Sequence, residues 1–143
     1  MFIGEYSHTI DPKGRLAVPI KMRAKLADGA VVTKGLDSCL FVYPKNEWEN
    51  LAKKLSGLPI ADTKARAFSR MMLAGAMEVE FDKQGRVLLP NYLREFASLK
   101  NKAVVAGLYN RIEIWNESAW KSYKTESDKN TSEISEHLSE LGI

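Results

Sequence analysis

The 143-residue chain is the length of one average domain, and its 45% hydrophobic content suits a packed, soluble one. Its net charge of +3 is compatible with a polyanionic partner without requiring one. The single Cys39 and the lack of any run of about 18 apolar residues exclude a disulfide scaffold and a membrane-spanning helix. Met1-Phe2-Ile3-Gly4-Glu5-Tyr6 has neither the basic start nor the apolar stretch of a secretory signal, so a cytoplasmic address is expected. Charge is uneven along the chain. Residues 1–116 carry 18 Lys/Arg against 12 Asp/Glu, about +6, whereas residues 117–143 carry 3 against 6.

Glu5 to Ile10 alternates, with Tyr6, His8 and Ile10 on one face, the period of a half-buried strand. Asp11-Pro12-Lys13-Gly14 suits a type I turn, with Asp first, Pro second and Gly last. Arg15 to Val18 leaves that turn as a strand, so a hairpin is predicted. Pro19 marks a helix start, with Met22 and Leu26 on its buried face. Ala30–Thr33 and Leu40–Tyr43 read as strands separated by a turn at Gly35, and a helix follows from Lys45 to Leu55. Ser56-Gly57-Leu58-Pro59 interrupts the chain before a helical stretch over Asp62–Met72.

The same text then returns 71 positions later. Asp82-Lys83-Gln84-Gly85-Arg86-Val87-Leu88-Leu89-Pro90 repeats Asp11-Pro12-Lys13-Gly14-Arg15-Leu16-Ala17-Val18-Pro19 with Asp, Gly, Arg and Pro in register. Met77, Val79 and Phe81 alternate ahead of it, and Arg94 matches Arg23 behind it. After a one-residue slip, Gly107-Leu108 matches Gly35-Leu36, Trp115 matches Tyr43 and Trp120 matches Trp48. A helix from Glu117 to about Lys129 and a short amphipathic tail with Ile134, Leu138 and Leu141 close the chain. One repeat of about 45 residues is near the lower limit for an independent core, so the two copies are expected to share one.

Groups for catalysis are few. His8 aligns with Val79 on the inward strand face and reads as a packed histidine. His137 lies in the acidic tail, and Cys39 aligns with Arg111 and has no matching ligand. Zinc-ligand clusters and Gly-rich phosphate loops are absent, so neither an enzyme nor a cofactor is expected. The duplicated arginines are different. Arg15 and Arg86 follow a tight glycine turn, where a guanidinium can bond bidentately to phosphate or to guanine O6/N7. Lys13 and Lys83 add a cation to each turn. Their spacing equally allows Arg15 and Arg86 to brace the hairpins through Asp11 and Asp82. Arg23 and Arg94 are paired across the repeats as well; on short helices they read first as a solvated face. Arg66 and Arg70 form a basic stripe without a counterpart, and the matched aromatics suit core packing.

Two D-x-x-G-R-[apolar]-x-[apolar]-P motifs, the opening Met-Phe-Ile-Gly-Glu-Tyr, Gly35-Leu36-Asp37-Ser38-Cys39-Leu40 and Asn110-Arg111-Ile112-Glu113-Ile114-Trp115 closely resemble the MraZ family of bacterial transcriptional regulators. That resemblance covers essentially the whole chain. It implies an α+β, β-rich fold: a swapped-hairpin AbrB-like barrel made by two internal repeats, with short flanking helices. The implied division is a SpoVT–AbrB repeat over 5–47, a helical linker over 48–75, a second repeat over 76–119 and a helical tail over 120–143. It further implies sequence-specific binding of double-stranded promoter DNA at the division and cell-wall gene cluster, through Lys13, Arg15, Lys83 and Arg86. Arg23 and Arg94 are secondary candidates. Ring-like homo-oligomers, promoter direct repeats and a nucleoid-associated cytoplasmic location follow from the same resemblance. An AbrB-like antitoxin or interaction scaffold is the alternative.

Overall fold

The computed structural model describes all 143 residues. In chain order the elements are β1 (Phe2–Thr9), β2 (Arg15–Ala17), α1 (Ile20–Arg23, continued by a 3-10 turn), β3 (Ala30–Lys34), β4 (Leu40–Pro44) and α2 (Lys45–Ser56). Next come α3 (Thr63–Ser69, continued by a π turn over Arg70–Ala74), β5 (Met77–Val79), β6 (Arg86–Leu88), α4 (Asn91–Phe96), β7 (Lys102–Tyr109) and β8 (Ile112–Asn116). Two helices, α5 (Glu117–Lys129) and α6 (Thr131–Glu140), end the chain. None of these helices is long and apolar enough to cross a membrane.

Six strands form one antiparallel sheet in the order β1-β7-β8-β4-β3-β5, and β2 and β6 form a separate two-stranded ribbon. The order reads the same when repeats are exchanged. Each repeat lends its first strand to the other: Phe2 faces Tyr109 and Thr9 faces Lys102, while Val32 faces Met77 and Ala30 faces Val79. At the centre β4 meets β8 with Phe41 opposite Glu113. The sheet therefore has a pseudo-twofold axis through that pair, and the ribbon has one through Leu16 and Val87.

Two expectations change here. The turns form, but the predicted hairpins do not extend beyond single bridges, Ile10 to Leu16 and Phe81 to Val87. Each three-residue strand instead takes its partner from the other repeat, Arg15 facing Leu88 and Ala17 facing Arg86. Nor does the ladder close into a barrel: β1 and β5 remain sheet edges, and the ribbon packs over one face without joining them.

The main core lies between sheet and ribbon. It collects alternate residues of every central strand: Ala30 and Val32, Leu40 and Val42, Ala103 and Val105, Ile112 and Ile114, with Leu16, Val87, Leu26 and Leu93 from the ribbon side. The opposite pleat carries Phe41, Tyr43, Val104 and Trp115 into a second cluster under the helices, where Trp48, Leu51, Phe68 and Trp120 pack. Both sheet faces are thus covered, which is why β4 reads as one continuous apolar run. The matched aromatics are structural: Trp115 and Trp120 meet edge-on with centroids 5.2 Å apart. Buried Glu113 accepts two bonds from Arg111, at 3.0 and 2.8 Å, and one from Trp115 Nε1 at 3.0 Å. Lys124 of α5 bonds Glu5 of β1 at 2.6 Å, and Trp120 donates to the same carboxylate. Neither α5 nor α6 has a fully buried residue.

Candidate nucleic-acid interface

Each basic turn is built on one aspartate. Asp11 Oδ1 accepts the N–H groups of Lys13 and Arg15 at 3.0 and 2.9 Å, and its Oδ2 accepts Arg15 Nε at 2.6 Å. Asp82 repeats the pattern with Gln84 and Arg86 at 2.9 Å each and Arg86 Nε at 2.8 Å. The i to i+3 bonds from Gly14 to Asp11 and from Gly85 to Asp82 are both 2.9 Å. The glycines take φ of +87° and +73°, so a left-handed residue completes each turn where a side chain would be strained.

Beyond the turns the ribbon is knitted across the repeats. Val18 N–H donates to Gly85 O at 2.9 Å and Leu89 N–H to Gly14 O at 3.0 Å, flanking the three ladder pairs. Leu16 and Val87 point into the core at 0% and 1% exposure. Strand alternation then puts Arg15, Ala17, Arg86 and Leu88 on the outer face. The Arg15 and Arg86 side chains are 33% and 30% exposed. In both, Nε is committed to the turn carboxylate and the Nη groups donate to no protein acceptor. Arg86 Nη1 also lies 4.0 Å from Asp11 Oδ2, so one carboxylate borders both guanidinium groups. Bracing and outward presentation therefore coexist in one side chain. Lys13 and Lys83 are exposed at the turn tips without protein partners.

Arg23 and Arg94 do not sit on a solvated helix face. Arg23 Nε donates to Val18 O at 2.8 Å and Arg94 Nε to Leu89 O at 3.0 Å. Each guanidinium lies against the turn glycine of the other repeat: a methyl group on Gly85 would fall 2.2 Å from Arg23 Nε, and one on Gly14 would fall 2.6 Å from Arg94 Cζ. The helix of one repeat thus seats the turn of the other. Sequence reasoning missed this crossing, although duplication of both the Gly and the Arg was its signal. Gly85→Ala is expected to cost about 1–3 kcal/mol from positive-φ strain and this collision. Combined with Arg23→Ala the loss should fall short of the sum, because the methyl then meets no guanidinium; urea unfolding of the four-variant cycle measures it.

Acidification should loosen the same turns. Asp11 and Asp82 are held below their ordinary value near 3.8, first by the N–H of Arg15 or Arg86 and then by that residue's guanidinium. A carboxyl with a depressed value in the fold stabilises it fully above about pH 4, and this is lost as pH falls through the depressed value. Urea midpoints should drop on acidification below that point, and D11N/D82N should flatten the drop.

The remaining candidates lie elsewhere. His8 is half-buried on β1, and burial, helped by the Arg23 charge, lowers its pKa. Cys39 is buried, with its thiol pushed up to about 12 by burial and by the charges of Glu113 and Asp37. Arg66 donates from Nη1 to Ile60 O at 2.9 Å on the surface, and Arg70 is exposed.

Comparison with known proteins gives the same twofold division. The family model described as "MraZ protein, putative antitoxin-like" matches twice, over residues 1–71 and 72–140. A protein named "Transcriptional regulator MraZ" from Thermoanaerobacter pseudethanolicus is 50% identical over 143 residues, all of both chains. Proteins of that name from Halothermothrix orenii and Desulfitobacterium hafniense are 49% and 50% identical, again over the full length of both. With both repeats matched and full-length identity near one half, this chain belongs to the MraZ family.

Proposed function

We propose that this chain is a transcriptional regulator that binds double-stranded DNA through the outer face of the β2–β6 ribbon. One observation carries the reading: two guanidinium groups, each fixed at Nε by a turn aspartate, hold Nη groups that donate no hydrogen bond within the protein on a single pseudo-twofold surface. A two-stranded ribbon is narrow enough to enter the major groove, where Arg bonds guanine O6/N7 or the flanking phosphates. Lys13 and Lys83 add phosphate contacts at the tips, and Arg23 and Arg94 contribute by seating the turns. The exchange of first strands supports reading the repeats, 5–47 and 76–119, as an interlocked swapped-hairpin pair left open at its edges. Residues 48–75 then form the linker and 120–143 the tail.

The finer reading is a cytoplasmic, nucleoid-associated regulator of the division and cell-wall gene cluster, assembled as a ring-like homo-oligomer on direct repeats. Linked ribbons would add weak contacts through effective concentration. A salt titration of binding to the chain's own upstream DNA, with one, two and three repeats, tests this. Log affinity should fall linearly with log salt, by about 0.9 per phosphate contact, and rise steeply with repeat number. Equal affinity for one repeat and for three would contradict the assembly.

A second reading follows from α6, which has no fully buried residue and is followed by Leu141 and Ile143, 63% and 87% exposed. An antitoxin or scaffold would grip a protein partner there. Stoichiometric pull-down of one protein, lost on deleting residues 131–143, would favour it; retention of DNA binding and loss of no partner would favour the regulator alone.

A further inference from the structure

Arg66 and Arg70 stand apart from the duplicated turns. The positions 71 residues later hold His137 and Leu141, so this basic pair belongs to one repeat only. One helical turn apart, on α3 and the π turn that continues it, the two arginines border a cavity of about 260 Å³ between the end of α2 and the start of α3. Leu55, Leu58, Ile60 and Leu73 supply its apolar walls. Leu55 is 4% exposed, whereas Ile60 is 81% exposed and left uncovered. The connecting segment is fixed by its own bonds: Leu58 N–H donates to Leu55 O at 3.2 Å, Asp62 N–H to Pro59 O at 3.1 Å, and Arg66 Nη1 to Ile60 O at 2.9 Å. Leu55 belongs to the second cluster, on the sheet face away from the ribbon.

The charge beside those apolar walls is uncompensated. No aspartate or glutamate lines the cavity. Neither guanidinium pairs with a carboxylate anywhere in the chain. Asp62, the nearest carboxylate in sequence, accepts the Ala65 N–H at 2.8 Å as the cap of α3. The hydroxyls of Ser56 and Ser69 donate to Lys53 O and Leu55 O. What remains for a ligand is a set of guanidinium donors next to a hydrocarbon slot. A carboxylate meets such donors with short, charge-assisted bonds, and each methylene buried beside it is worth about fourfold in affinity. The volume is at the small end for ligand cavities, which limits the guest to a short chain. We infer that this cavity binds a small amphipathic carboxylate, a medium-chain fatty acid anion, at one site per chain. The competing occupant is the acidic, amphipathic α6 of a second copy.

Calorimetric titration of the full chain with sodium decanoate, read beside methyl chemical shifts, tests this. Decanoate should saturate at one per chain and shift the methyl signals of Leu55, Leu58, Ile60 and Leu73. Butanoate keeps the anion but has a much shorter chain, and should bind at least about 100-fold more weakly. R66Q/R70Q should weaken decanoate binding by about tenfold or more with unchanged circular dichroism. R70Q alone leaves the Arg66–Ile60 bond in place and should still weaken it by about threefold or more. Absence of saturable binding, equal affinity in R66Q/R70Q, or shifts confined to other methyl groups would overturn the assignment. A lower sedimentation coefficient for ligand-free R66Q/R70Q would overturn it as well, in favour of a contact between copies.

Discussion

The double substitution R15A/R86A should reduce affinity for promoter duplex by about 30-fold or more while leaving fold and assembly unchanged. A bidentate arginine–guanine pair is worth about 1–3 kcal/mol, so two together reach about 2–6 kcal/mol. The substitution also leaves Asp11 and Asp82 on the ribbon face without their guanidinium partners, which adds repulsion toward phosphate. The turns should survive, because each aspartate still accepts two backbone N–H bonds and each glycine still bonds to its aspartate carbonyl. Circular dichroism and sedimentation should match the parent. R15K/R86K separates charge from geometry. It keeps both cations but loses the Nε brace and the planar fork, so binding should be salt-sensitive yet well below the parent. Undiminished binding by R15A/R86A would remove the mechanism.

Leu16→Ala should have the largest effect on stability among single changes in the ribbon. Leu16 is 0% exposed, belongs to the main core and sits opposite Val87 on the pseudo-twofold axis. Truncation opens a cavity beneath the only ladder joining the two basic turns. Large-to-small changes at such positions cost about 2–5 kcal/mol, corresponding to a Tm lower by roughly 5–15 °C for a chain of this size. Leu88→Ala is the matched control. It lies on the other pleat and is mostly exposed, so its stability change should stay within about 0.5 kcal/mol. Thermal unfolding of the pair checks the register, since a one-residue slip would exchange the two outcomes.

Much of this arrangement was legible in the repeat. The turns follow from Asp and Gly recurring at fixed positions, and the helices from Lys45 and from Glu117 begin at the predicted residues. Helices α1 and α4 begin one residue after Pro19 and Pro90, which lie just outside them as caps with extended ψ. The cross-pairing was not legible in the same way. A strand of three residues with one buried side chain, Leu16 or Val87, satisfies its own hairpin and a foreign partner equally well. The choice depends on where the shared core puts the other repeat. The same limit applied to Arg23 and Arg94. Helices of four and six residues contain too few turns for periodicity to say which face meets another element. The resemblance to a barrel-forming family added the idea of exchange, but edge strands β1 and β5 stay unpaired on their outer sides.

Photo-crosslinking gives the most direct test that the ribbon is the surface that meets DNA. A photoreactive amino acid is placed in turn at Lys13, Lys83, Glu49 on α2 and Glu136 on α6, all exposed positions. Crosslinks to promoter duplex are expected from positions 13 and 83, with none from 49 or 136. Crosslinks from the helical positions with silence at both turns would contradict the account.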